Sequence, residues 1–328
     1  MSRYAASFVK PNGPGDARPT ALQIVKDEGR EGTMKDKVFL VTGASSGIGV
    51  ETGRALAATG GKVFLAVRSL EKGQKECASF LEPGRVELLK LDTSDLASVK
   101  SAVANFLQKS STLNVLVCNA GTMAIPKREA TAEDFEMQLA TNYLGHYLLF
   151  HLLKDTLLKS STPEFNSRLV NVSSSAHRYT QIVFDDFQLK KPDAYEPWRA
   201  YGQSKLAQVH QANYVDRHFG PQGLHALSLM PGGIMTGLQQ HISDELRTSW
   251  TTEPDIVAFC KSPEQGAATT VLAAVGKEWE GKGGKYLEDC AVAEIVEEGT
   301  MKGAKPYVYD EEQENKLWAL TLKTLNLA

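Results

Sequence analysis

The sequence predicts an α/β fold: one open, doubly wound parallel β-sheet of about seven strands, with helices on both faces. Two observations predict it. Short apolar runs alternate with stretches of helical periodicity from about Asp36 to Cys290, the pattern of strands joined by crossover helices. The first run, Lys37-Val38-Phe39-Leu40-Val41, also leads directly into Thr42-Gly43-Ala44-Ser45-Ser46-Gly47-Ile48-Gly49 and then a helix. Strand, glycine-rich turn and helix is the context that a dinucleotide fingerprint requires. The glycines let backbone approach a pyrophosphate, and the helix N-terminus offers free N–H groups.

Residues 1–31 are polar, carry Pro11, Pro14 and Pro19, and read as an N-terminal arm in which Ala21 to Lys26 fits a short helix. One catalytic domain spans 32–290, and 291–328 reads as a tail packing on it. Within the domain, the helix from Val50 ends at Gly60-Gly61. Lys62 to Val67 is a strand, Ser69 caps a short helix, and Val86 to Leu91 is a strand. Asp95 caps a helix in which Leu96, Val99, Val103 and Phe106 recur at helical spacing. Leu113 to Cys118 is a strand, Ala132 to Lys159 a long helix, and Arg168 to Val172 a strand. A helix over Trp198 to Phe219, a strand over Leu224 to Met230, a helix over Pro263 to Val275 and a strand at Lys285 to Leu287 complete the order.

With 328 residues, 42% of them hydrophobic, the chain can bury one large core. A net charge of −3 without a Lys/Arg block excludes a nucleic-acid surface. Cys77, Cys118, Cys260 and Cys290 lack paired spacing, so neither a metal site nor a disulfide frame is indicated. No window approaches the ~18 apolar residues of a membrane span, and the N-terminus shows no signal-peptide core. A soluble, cytoplasmic enzyme with free thiols is expected; a homodimer is compatible with the sequence.

Tyr201-Gly202-Gln203-Ser204-Lys205 sets a phenol and an amine on one helix face. The cation is expected to favour the phenolate and pull the tyrosine pKa below its ordinary ~10, allowing acid–base work near neutrality. Alone, Tyr-x-x-x-Lys is common on solvated helices. Together with Thr42 to Gly49, Asn119-Ala120-Gly121, Asn142 within a helix and Ser174 at a strand end, in that order, it resembles the short-chain dehydrogenase/reductase family from about Asp36 to Cys290. Thr141-Asn142-Tyr143-Leu144-Gly145-His146 and Thr20 to Val25 are most similar to the retinol-dehydrogenase-like branch and to fungal secondary-metabolism dehydrogenases.

The resemblance implies a Rossmann-type sheet, a nicotinamide cofactor and four roles. Tyr201 is the acid or base, Lys205 lowers its pKa and holds the nicotinamide ribose, Ser174 steadies the substrate oxygen, and Asn142 holds a relay water. Ser173 and Ser175 remain alternatives to Ser174. Gly43, Ser45, Ser46, Gly47, Ile48 and Gly49 would receive the pyrophosphate. Asp92 would bind adenine or simply cap a turn; Asn119, Ala120 and Gly121 would pass the adenine ribose. Ile234 and Thr236 would meet the carboxamide. An NAD enzyme needs a carboxylate at the end of the second strand. This chain has Val67 followed by Arg68 there, so NADP(H) is favoured over NAD(H), a guanidinium being a bidentate partner for a 2′-phosphate.

Residues 176–200 and 238–260 follow strand C-termini, where open α/β sheets bind ligands. Their aromatics, among them His177, Tyr179, Phe184, Phe187, Tyr195, Trp198, Trp250 and Phe259, read as a rim and lid over an apolar pocket walled by Met123 and Ile125. Any single one is as well explained as loop-anchoring core. The expected partner is a medium-sized apolar carbonyl or alcohol. A non-redox isomerase, dehydratase or cyclisation catalyst, or a cofactor-sensing protein, stays open. His146 and His151, lacking a partner cluster, read as packing or surface residues.

Overall fold

The computed structural model describes residues 2–297 and 302–327. Seven parallel strands, β1 (Val38–Thr42), β2 (Lys62–Val67), β3 (Val86–Lys90), β4 (Val115–Cys118), β5 (Ser167–Val172), β6 (Leu224–Met230) and β7 (Lys285–Glu288), form one sheet, and the two-residue β8 (Ala291–Val292) adds antiparallel to its edge. Their order is β3-β2-β1-β4-β5-β6-β7-β8. The chain reverses its winding direction between β1 and β4, and the C-terminal ends of those strands open a crevice there. In register, Leu40 lies between Phe64 and Leu116.

The strands read as unbroken apolar runs because both sheet faces are covered. Their side chains nevertheless divide by the period of two. Leu40, Phe64 and Leu116 join one core, while Phe39, Val41, Leu65 and Val117 join the other.

The helices are α1 (Ala21–Asp27), α2 (Gly47–Ala58), α3 (Leu70–Cys77), α4 (Leu96–Lys109), the single turn α5 (Met137–Leu139), α6 (Gly145–Ser160), α7 (Pro197–Phe219), α8 (Asp244–Thr252), α9 (Pro254–Phe259), the single turn α10 (Pro263–Gly266), α11 (Ala268–Val275) and α12 (Glu311–Thr324). Side-chain caps start most of them: Asp95 accepts from the N–H groups of Ala97 and Ser98, and Glu196 from those of Trp198 and Arg199.

Two expected helices are interrupted. The helix expected over Ala132–Lys159 begins only at Met137, because Glu136 extends its backbone and caps the Gln138 and Leu139 N–H groups. It then passes through a π-turn, Ala140–Leu144, before α6. Gly145 lies so close to Thr93 that a Cβ would stand 1.9 Å from its carbonyl oxygen, so only glycine fits there. The helix expected over Pro263–Val275 is divided at Ala267 into α10 and α11.

Both ends of the chain pack on this body. In α1, Ile24 and Val25 are buried in the same core as Phe39 and Val271. The buried Arg18 guanidinium donates to the carbonyls of Gly13, Phe259 and Cys260 at 2.6–2.9 Å. At the other end, Trp318 of α12 stacks on Tyr214 of α7 at 4.0 Å and meets Tyr147 of α6 edge-on at 4.9 Å. No helix among the described residues is long and apolar enough to cross a membrane, and no His/Cys/Asp/Glu group among them could hold a metal ion.

Candidate active site

A cleft of ≈ 1180 Å³ opens over the C-terminal ends of the strands. That exceeds the ~300–1,000 Å³ of a pocket for one small ligand, leaving room for a dinucleotide and a second molecule. Gly43, Ser45, Ser46, Gly47, Ile48, Arg68, Asp92, Asn119, Ala120, Gly121, Ser174, Tyr201, Lys205, Ile234 and Thr236 all line it. Two expected site residues do not. Gly49 lies beneath the glycine-rich turn, where a Cβ would stand 2.2 Å from the Gly43 carbonyl oxygen; its part is to let the turn fold, not to face a ligand. Asn142 is fully buried behind Thr122.

Gly43 and Gly47 adopt positive φ, 69° and 54°. Ser46 is the N-cap of α2, yet its side chain makes no capping bond, so its hydroxyl is available to a phosphate. Thr42 organises the neighbouring segment: its hydroxyl oxygen accepts from the Asn119 and Ala120 N–H groups, both at 2.9 Å. Asp92 turns its Oδ1 to Ser94 N–H and Oγ–H at 3.0 and 2.7 Å, which makes it a turn former as well as a cleft residue. Arg68 ends β2 at the cleft with its side chain exposed, and Lys90 of β3 donates to the Arg68 carbonyl. This second cation escaped the reading of the sequence. It lies one strand away, and only the β2–β3 register brings it close.

Tyr201 and Lys205 of α7 are buried, and the Lys205 Nζ lies 5.7 Å from the Tyr201 ring centroid. The expected fall in the tyrosine pKa is not what the structure gives. Burial pushes Tyr201 up to about 12, offset in part by the Ser174 hydroxyl. Burial also pulls Lys205 down to about 7. The reason is geometric: Lys205 donates to the Val172 carbonyl and Gln208 Oε1, both at 2.9 Å, and not to the Tyr201 hydroxyl. Desolvation therefore outweighs the ion–phenol attraction.

Of the three serines, Ser174 is the one whose hydroxyl acts on the Tyr201 phenol, lowering its pKa, and its Oγ accepts from Ala176 N–H at 3.2 Å. Ser173 is buried and donates to the Lys205 carbonyl at 2.8 Å, which positions α7. Ser174 is itself held from behind, its carbonyl accepting from His177 Nδ1 at 2.7 Å. Asn142 sits in the π-turn, a backbone irregularity frequent at functional sites. Its Oδ1 accepts from Thr122 N–H at 2.8 Å, and its Nδ2 donates to the Thr122 carbonyl and Ser204 Oγ.

Beyond the sixth strand, Gln239 closes a capping box with Thr236 and donates to the Ile234 carbonyl at 2.8 Å. The Thr-x-x-Gln spacing is a signal that could have found it. Lys261 steadies the same loop, donating to the Pro231 carbonyl at 3.0 Å and pairing with Asp289 at 2.7 Å; nothing in the sequence marks it. The Met230 sulfur accepts from Gly232 N–H at 2.8 Å.

Part of the cleft wall is apolar. Met123, Ala124, Ala176, Tyr201 and Ile242 form a small cluster on which Trp198, Leu238, Leu246 and Trp250 pack. Trp198 meets Tyr201 edge-on at 6.2 Å and Trp250 at 6.3 Å. Residues 238–260 fold mainly as α8 and α9, a helical lid. Tyr179 and Phe259 also line the cleft, whereas three further rim aromatics are anchors. Phe187 is core, Tyr195 donates to the Ile125 carbonyl at 2.7 Å, and His177 is buried against Tyr286.

Known proteins similar to this chain point to one family. The family model described as "short chain dehydrogenase" matches residues 37–188. The chain is 56% identical to the "Short-chain dehydrogenase/reductase prx1" of Penicillium roqueforti, over 99% of this chain and 96% of that protein. It is 39% identical to "Retinol dehydrogenase 11" of Homo sapiens, over 79% of each. A crystal structure of a putative uncharacterized protein from Mycobacterium Paratuberculosis superposes with a TM-score of 0.68 at 29% identity, covering 94% of this chain and 97% of that one. From fold, site and relatives together, the chain is an oxidoreductase and belongs to the short-chain dehydrogenase/reductase family.

Proposed function

We propose that this protein interconverts a ketone or aldehyde and an alcohol on a medium-sized apolar substrate, using NADP(H), and that it serves secondary metabolism. One observation carries the reading: Tyr201, Ser174 and Lys205 line the same cleft as the glycine-rich turn and Arg68, with an apolar cluster packed around Tyr201. The residues fit a nicotinamide cofactor: positive-φ glycines and the uncapped Ser46 face a phosphate, and the end of β2 carries no carboxylate. When bound, the cofactor supplies or takes the hydride.

The protein's own work is proton handling and exclusion of water. Tyr201, kept protonated by burial, donates to the carbonyl oxygen in reduction, and Ser174 holds that same oxygen. Lys205 has two of its three donors engaged by Val172 and Gln208. A pKa of about 7 lets it give and take a proton near neutrality, returning one to Tyr201. Trp198, Trp250 and Leu246 keep the surroundings dry. Human "Retinol dehydrogenase 11", named for an apolar alcohol, is consistent with this pocket chemistry.

The test is direct. Purified protein with NADPH and a panel of apolar ketones should oxidise NADPH, and polyols should be poor substrates. Arg68→Ala should raise the NADPH dissociation constant on the order of ten- to a hundred-fold, the worth of a charge-assisted bidentate contact, and leave NADH nearly unchanged. Equal losses for both nucleotides would make Arg68 structural.

A further inference from the structure

His146 has no exposed surface, yet both ring nitrogens are engaged. Nδ1 lies 2.8 Å from the Asn142 carbonyl oxygen, and Nε2 lies 2.8 Å from Thr42 Oγ1. The donor and acceptor inventory fixes every proton in this chain. A carbonyl only accepts, so Nδ1 carries the hydrogen. Thr42 Oγ1 already accepts from the Asn119 and Ala120 N–H groups, so its own hydrogen must point outward. Two acceptors compete for it, the Val117 carbonyl at 3.4 Å and His146 Nε2 at 2.8 Å, and the shorter contact wins. The imidazole is thus neutral with one defined tautomer. A second proton on Nε2 would face an oxygen with no lone pair left. Burial, and Lys205 among the charges nearby, push the same way, holding the pKa down at about 4.

We propose that His146 is a positioning residue that joins the two halves of the site, fixing the π-turn at Asn142 to the glycine-rich turn and the Asn119–Ala120 segment through Thr42. Asn142 belongs to the proton-handling half: a Cβ built on Gly121 would stand 3.1 Å from Asn142 Oδ1 and 3.6 Å from Lys205 Nζ, so these two groups are neighbours. Thr42 belongs to the cofactor half. Both Nδ2 hydrogens of Asn142 are engaged locally by Thr122 and Ser204, so the imidazole supplies the connection from the π-turn to β1. The role rests on the proposed nicotinamide cofactor only for its consequence, not for the network itself.

Three variants test it. His146→Phe keeps the ring volume and removes both bonds. His146→Gln places an amide where Nε2 was and can keep the Thr42 bond, whereas His146→Asn places one where Nδ1 was and can keep the Asn142 bond. NADPH affinity is measured by fluorescence titration, and backbone order by amide hydrogen exchange at Asn119 and Ala120. The Phe variant is expected to fold, to bind NADPH on the order of tenfold more weakly, as loss of a buried hydrogen-bond partner implies, and to exchange faster at both amides. Gln should restore affinity and protection more than Asn. Wild-type affinity and exchange in the Phe variant would overturn the proposal. Should that variant fail to fold, equal behaviour of Gln and Asn would overturn it instead. If the wild type binds no NADPH, the cofactor reading fails; amide exchange, together with a ¹⁵N spectrum showing a neutral Nδ1–H imidazole across neutral pH, still decides the network.

Discussion

At the scale of single residues, burial rather than pairing sets the chemistry of the site. Tyr201 is held up at about 12 and Lys205 down at about 7, so near neutrality the phenol keeps its proton and the amine shares one with solvent. Tyr201→Phe should abolish turnover while leaving NADPH affinity nearly intact, since the ring stays and only the transferable proton goes; retained turnover would remove Tyr201 from the reaction. Lys205 also shapes stability. Its folded pKa of about 7 lies below the ordinary 10.5, so between these values the unfolded chain binds the extra proton and stability rises with pH. The cost is complete below pH 7 and fades as pH climbs to 10.5. Lys205→Met should therefore lose activity and flatten this slope, with its melting temperature standing highest above wild type below pH 7. A constant offset across that range would contradict the assignment. The Tyr-x-x-x-Lys spacing was plain in the sequence; the depth at which the fold sets it was not, because desolvation depends on elements far along the chain.

At the scale of elements, the strands were readable as apolar runs, and each lies within a residue or two of its expected place because a doubly covered sheet demands such runs. The helix breaks were not readable. The π-turn at Ala140–Leu144 is maintained by Asn142 bonding to Thr122 across the cleft wall, a tertiary contact with no local signature. His146 shows the same limit: helical periodicity gives its face, but not the Thr42 hydroxyl waiting there. The lid belongs to this scale as well. Ser243 and the Thr236–Gln239 box cap its helical turns, and Trp250 is its main apolar contact with Trp198. Trp250→Ala should raise KM for a bulky polycyclic ketone on the order of tenfold, the worth of one large apolar contact, and spare a small diketone. Equal loss for both would make Trp250 an anchor of the lid and not a wall of the pocket.

At the scale of the whole molecule, the C-terminal segment braces the catalytic helix. Asn213 of α7 donates to the Val308 carbonyl and to Glu314 at 2.6 and 2.9 Å, and Tyr307 donates to the His177 carbonyl at 3.0 Å, next to the loop that carries Ser174. Trp318 seals the contact between α12 and α7. Trp318→Ala should destabilise the protein by about 2 kcal/mol, less than the ~3–5 kcal/mol for a fully buried aromatic because Trp318 is only partly buried, measured by urea denaturation. A change within experimental error would mean that α12 is only loosely docked.

The Arg18 guanidinium has one more consequence. By gathering the Gly13, Phe259 and Cys260 carbonyls, it nails down the far end of α9 while the Thr236–Gln239 box nails down the near side. The covering segment is thus a drawbridge with both abutments fixed, and its travel is left to the joints at Ile242-Ser243 and Glu253-Pro254, on either side of α8. Bending at those joints would run on the microsecond-to-millisecond scale typical of such gates, and their residues offer a place to retune the enzyme without touching a single group that meets the substrate.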